Sequence, residues 1–213
     1  MTPHGPPQMS QALRAEYELL DGEVAALGYY LSEYQALFGA TRERIDFLNQ
    51  IAPVFFKMIF ETLWSEILLH MTRITGPAVT RIGGNDFHNL TIRRLPDLVD
   101  EVVRPTIQQK VDLAIDASKF AQPARNKVLA HRDLQVALSP DSLGLTMGSR
   151  AQVSGALGAI EAVLDAVGKH YYGKRQPFVH NVGWGIADDL IEMLELGYQA
   201  QQAKIAARRM DGA

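Results

Sequence analysis

The stretch Ser10-Gln-Ala-Leu-Arg-Ala-Glu-Tyr-Glu-Leu-Leu-Asp-Gly-Glu-Val-Ala-Ala-Leu-Gly-Tyr-Tyr-Leu-Ser-Glu-Tyr-Gln-Ala-Leu-Phe38 sets the fold class. Its apolar side chains fall at Leu13, Tyr17, Leu20, Val24, Leu27, Leu31, Tyr34 and Phe38, in steps of 4, 3, 4, 3, 4, 3 and 4. That unbroken heptad seam is the period of a long packed α-helix. Ser10 is a good N-cap, and Gly39 stops the helix. Gly22 and Gly28 lower the intrinsic helicity, so packing along the seam must hold the helix together. The seam predicts packing inside a helical bundle; its alternative is contact with the same helix of a second subunit.

The pattern continues on both sides of every later break. Thr41 opens a second long helix that runs to about Thr75 and is expected to kink before Pro53. Phe55, Phe56, Ile59, Phe60, Leu63, Ile67, Leu68 and Met71 make it apolar over most of its surface, which predicts a central position. One polar stripe crosses it: Thr62, Glu66, His70 and Arg73 share a face. The stripe is either self-satisfied, with Glu66 paired to His70 or Arg73, or a support beside a functional site.

Gly76-Pro77 ends this helix. Residues 76–95 read as a long loop around Gly83-Gly84-Asn85-Asp86, carrying His88, Arg93 and Arg94. Arg93 and Arg94 are read as surface charges or as a second phosphate contact. A short helix is expected over about Pro96–Val103. The next runs from Pro105 to Ala121, with Ile107, Val111, Leu113 and Ile115 inward. After a turn at Ser139–Gly144, Ser149–Tyr172 form a helix with Val153, Leu157, Ile160, Leu164, Val167 and Tyr171 facing the core. Gly155 and Gly158 are read as permitting a close helix neighbour, and Gly173 as the stop. The last helix spans about Trp184–Ala207, with Asp188, Glu192 and Glu195 on one acidic face. The reading is all-α: about seven helices in one domain over residues 10–207, with a disordered tail at 1–9 and a frayed end at 208–213.

Composition narrows the function. The chain has 213 residues, no cysteine, and a net charge of −3. Broad nonspecific nucleic-acid binding, which needs a strong basic excess, is disfavoured. Thiol catalysis, disulfides and cysteine-based zinc sites are excluded, which fits a cytoplasmic setting. The apolar run from Ile51 to Met71 holds too many charges for a membrane span, and the Pro/Gly-rich start is not a signal peptide. No phosphate-binding glycine loop, serine elbow or zinc-type histidine spacing occurs, so no cofactor and no metal are expected.

One stretch concentrates chemistry. Pro123-Ala-Arg-Asn-Lys-Val-Leu-Ala-His-Arg-Asp133 is locally basic and reads as a short helix entered through Pro123. Arg125 offers a fork of donors that matches phosphate. His131 exchanges a proton near neutral pH, and Asn126 can orient either. Six residues at about 100° each place Arg125 and His131 roughly 120° apart around one helix. A site built from them is therefore a groove, one that two copies of the helix could share.

The string Arg125-Asn126-Lys127…Ala130-His131-Arg132-Asp133 resembles the R-x4–6-H motif of the HEPN superfamily, and its AbiU2-like branch in particular. Leu69-His70-Met-Thr-Arg73-Ile74 and Asn89-Leu90-Thr91…Leu95 are similar to that branch as well, and the likeness covers roughly residues 10–172. The chain departs from it at Gly76-Pro77, where an acidic residue is expected. The resemblance implies an antiparallel helical bundle with long first and second helices and a C-terminal helix pair. It also implies a homodimer and, in many members, metal-independent RNA cleavage of a toxin or phage-defence kind, with an antitoxin or defence-system partner. Others bind RNA, a nucleotide or a protein without cleaving. Arg125, Asn126 and His131 are the candidate catalytic residues. Lys127, Arg132, Asp133, Glu66, His70, Arg73 and Arg93 are candidate RNA-binding or supporting residues.

Overall fold

The computed structural model describes residues 7–124, 148–173 and 186–211. The chain is all-α apart from one small hairpin among these residues. In order come α1 (Gln11–Phe38), α2 (Arg42–Ile51), α3 (Pro53–Ile74), β1 (Val79–Ile82), β2 (Asn85–His88) and a 3₁₀ turn (Ile92–Arg94). Then follow α4 (Leu95–Leu98), α5 (Arg104–Ser118), α6 (Ala121–Ala124), α7 (Arg150–Tyr172) and α8 (Ile186–Asp211). The chain divides into two compact units, one of residues 1–28 and 65–180, the other of 29–64 and 181–213. No helix among the described residues is long and apolar enough to cross a membrane.

The first unit takes most of the α1 seam. Leu13, Tyr17, Leu20, Val24 and Leu27 are buried, as are Ile67, Leu68, Met71 and Ile74 of α3. Each such aliphatic side chain contributes about 1.5–3 kcal/mol on burial. Ser10 caps α1, its hydroxyl accepting from Leu13 N at 3.2 Å. α5 packs on α7, and α4 and the 3₁₀ turn pack on α5. The buried face of α5 is Ile107, Val111, Ala114 and Ser118. This corrects the expected set: Leu113 is exposed and Ile115 half-buried, because a helix buries positions four, three and four apart. α7 begins in a capping box, with Ser149 Oγ accepting from Gln152 N and Gln152 Oε1 from Ser149 N. It buries the expected seam and ends at Gly173 in the left-handed conformation. Gly155 and Gly158 meet no close neighbour, so the expected tight approach there does not exist among the described residues.

Residues 76–95 are not a plain loop. β1 and β2 pair antiparallel through Val79↔His88, Thr80↔Phe87, Arg81↔Asp86 and Ile82↔Asn85. The two-residue turn needs positive φ at both positions, and Gly83 (φ 59°) and Gly84 (φ 85°) supply it. Every residue of both strands is exposed, so no alternation of burial marks them in the sequence.

In the second unit Leu37, Leu48, Phe56, Ala187 and Ile191 form a cluster, with Phe38 at its margin. The rings of Tyr34, Phe38, Phe60 and Trp64 pack together in tilted and edge-on pairs, Tyr34 and Trp64 with centroids 4.9 Å apart. Pro53 does more than kink the expected long helix. Ala52 leaves the helical region (φ −153°, ψ 71°), so α2 and α3 are separate, and Thr41 caps α2 through Arg44 N. The expected burial of α3 over its whole length also fails. Val54, Phe55, Met58 and Phe60 are exposed, and Ile59 and Leu63 are half-buried. Of these, Val54 and Phe60 border an apolar hollow of about 380 Å³ with Ile45, Leu48 and Phe56. On α8, Asp188, Glu192 and Glu195 are exposed as expected, and Asp188 pairs with Arg44 at 2.8 Å.

Candidate functional site

In the first unit, the C-terminal end of α3 leaves carbonyl groups without helical partners. The segment Asn89-Leu90-Thr91 supplies them. Thr91 is fully buried, and its hydroxyl donates to Ile74 O (2.7 Å) and Gly76 O (2.9 Å). Arg93 Nε donates to Thr75 O at 2.8 Å. Asn89 Nδ2 donates to Pro77 O (2.8 Å) and to Thr80 Oγ1 (2.7 Å), which fixes the base of the hairpin. Gly76 is required by close approach, since a Cβ there would meet Thr72 O at 2.8 Å.

Beside this cap lies a cleft of about 780 Å³ lined by Glu23, Arg73, Asn89, Leu90, Gln122 and the Gly76-Pro77 turn. Gly76, Pro77 and Gln122 also line a smaller hollow of about 330 Å³ that reaches Arg93, Ser118 and Lys119. Gln122 belongs to α6, and three residues beyond it in the chain stands Arg125. Two of the three motif stretches, 66–76 and 89–95, thus converge on one cleft, and the third begins three residues after Gln122 in the sequence.

The polar stripe of α3 divides in two. Arg73 Nη2 donates to Glu66 Oε1 at 3.0 Å on the exposed side. His70 is buried, and its Nε2 lies 2.6 Å from Glu23 Oε2 of α1. Burial lowers the His70 pKa and favours the neutral ring, while the Glu23 carboxylate partly offsets that and Arg73 adds to it. Glu66 pairs with Arg73, one of the two partners expected for it. Arg94, expected as a surface charge or a phosphate contact, is held in a bidentate pair by Glu16 at 2.6 and 2.8 Å and contacts His88 Nδ1 at 2.9 Å. The Glu16 carboxylate raises the Arg94 pKa.

Arg125, Asn126, Lys127, His131, Arg132 and Asp133 lie outside the described residues. Sequence reading missed Glu23, because its partner His70 sits 47 positions away on another helix. It also missed Asp21, which is buried on α1. A signal for Asp21 existed: it stands four residues after Tyr17 and three before Val24, beside the seam position Leu20.

Comparison with known proteins gives one family. A family model described as AbiU2, of the HEPN class, matches residues 10–183. No curated protein and no solved structure matches.

Proposed function

The chain belongs to the AbiU2 family of HEPN domains, and from that premise we propose that it is a metal-independent endoribonuclease of the abortive-infection kind. The observation that carries the proposal is the convergence of the 66–76 and 89–95 stretches on one cleft, with the Arg125–His131 string starting three residues after Gln122 in the sequence. In this reading the ribose 2′-hydroxyl attacks the adjacent phosphorus, the P–O5′ bond breaks, and the 5′-oxygen leaves as a hydroxyl. His131 moves the proton, Arg125 stabilises the charge on the phosphoryl oxygens, and Asn126 orients Arg125. The nucleophile is part of the substrate, so the scheme calls for no metal. Lys127 and Arg132 add phosphate contacts, and Asp133 aligns the neighbouring cations. Two copies of the chain form a homodimer whose motif segments share one groove, in the cytoplasm, with an antitoxin or defence-system protein as the restraining partner.

A second reading, a helical module that binds RNA, a nucleotide or a partner protein without cleaving, has its own support. The net charge is −3, and Arg73, Arg81 and Arg94 are each already paired with a carboxylate. Incubation of total and transfer RNA with the protein in EDTA separates the two. Cleavage by the wild type, lost in His131→Ala and leaving 2′,3′-cyclic phosphate or 3′-phosphate ends, is expected. RNA bound and left intact across several RNA classes would give the binding module instead.

A further inference from the structure

The hairpin carries an aromatic ring on the face that borders the cleft. Residues directly opposite in an antiparallel pair point to the same side, with Cβ atoms about 5 Å apart. Phe87 is opposite Thr80. Thr80 lines the cleft and is tied by its hydroxyl to Asn89, another lining residue. Phe87 is 52% exposed, and Ile82, the next residue on that face, is 63% exposed. The arm is braced: Arg81 and Asp86 bridge the opposite face with bonds of 2.7 and 3.1 Å, and Asn89 anchors the base. The ring therefore stands on a fixed support at the cleft margin. Past the Gly76-Pro77 turn, the adjoining hollow reaches Arg93. Arg93 spends only its Nε on Thr75 O and has no carboxylate partner among the described residues, so both Nη groups remain for an anion.

Resting on the RNA reading above, we infer that Phe87 and Arg93 form a track for unpaired RNA, one base stacking on Phe87 and a backbone phosphate meeting the Arg93 guanidinium. Aromatic stacking accepts any splayed base, whereas bases in a duplex are already stacked. Neither contact reads the 2′-hydroxyl, so single-stranded DNA of the same sequence competes for the track without being cleaved.

The test is fluorescence anisotropy with a labelled single-stranded RNA 12-mer and a hairpin of equal length, in the His131→Ala background to prevent cleavage. Phe87→Ala and Phe87→Leu are expected to weaken single-strand binding roughly tenfold, while Phe87→Trp retains it. Arg93→Ala is expected to weaken binding and to lower the slope of log affinity against log salt by about 0.7. Wild-type affinity in Phe87→Leu, or a changed light-scattering mass in Phe87→Ala with RNA affinity intact, overturns the track and assigns this face to a protein contact. If the parent binds no RNA at all, the proposed function falls with it. If the parent binds and Phe87→Ala binds equally well, only the track falls.

Discussion

Thr91 shares one hydroxyl proton between two carbonyl groups at the end of α3, from a fully buried position. Thr91→Val keeps the shape and removes the donor, which leaves two buried acceptors without it. The expected loss is about 1–3 kcal/mol, read as a shift in the urea midpoint, and Thr91→Ser should recover most of it. An unshifted midpoint would show that the cap carries no stability. His70 gives a pH dependence. Its folded-state pKa is lowered from the ordinary 6.5, chiefly by burial. The unfolded chain therefore binds the proton more readily. Stability is full above pH 6.5, declines as pH falls below it, and levels off once the folded-state pKa is passed. His70→Gln should flatten that limb in denaturation curves run between about pH 7 and 5. A wild-type curve already flat there would mean that the His70 pKa is not lowered in the fold, the Glu23 carboxylate cancelling the effect of burial.

At the scale of elements, Ser149→Ala should cost about 1 kcal/mol, since the capping box at the start of α7 satisfies donors that the helix cannot. A thermal melt unchanged from the wild type would contradict this. The same residue shows why helix boundaries were readable: caps and stops are local chemistry. Ser10, Thr41, Gly76-Pro77, Ser149 and Gly173 each act within four residues of their position, and all five mark real ends. What failed was non-local or unpatterned. The β-hairpin has four-residue strands exposed on both faces, so no burial period announces it. The first half of α3 has apolar residues all round its surface, and periodicity cannot say which of them a neighbour covers. The exposed Leu113 on α5 is the same failure in miniature. At the site, the Glu66–Arg73 pair was readable from its spacing on one helix. The Glu23–His70 contact between α1 and α3 was not, because no spacing rule joins two helices.

At the scale of the whole molecule, the sharpest question is whether one chain or two make the proposed site. If residues 123–133 form the helix that their sequence predicts, Arg125 and His131 stand roughly 120° apart on it, and the proposed site then has a phosphate touch Arg125 of one copy and His131 of the other. Arg125→Ala and His131→Ala should each be inactive alone, with losses on the order of 10²-fold or more. Mixed in equal amounts and allowed to exchange subunits, they should regain activity. Half of the dimers are then mixed, and by two-fold symmetry each mixed dimer has one site with both residues intact and one with neither. The expected recovery is about a quarter of the wild-type rate per chain. Arg125→Lys in place of Arg125→Ala should be only partly active by itself, because a point charge does not reproduce the bidentate fork. If the mixture stays inactive while light scattering confirms exchanged dimers, both residues serve the same chain's site, and the shared groove is wrong. If no dimer forms at micromolar concentration and the wild type still cleaves RNA, the site is complete in a single copy.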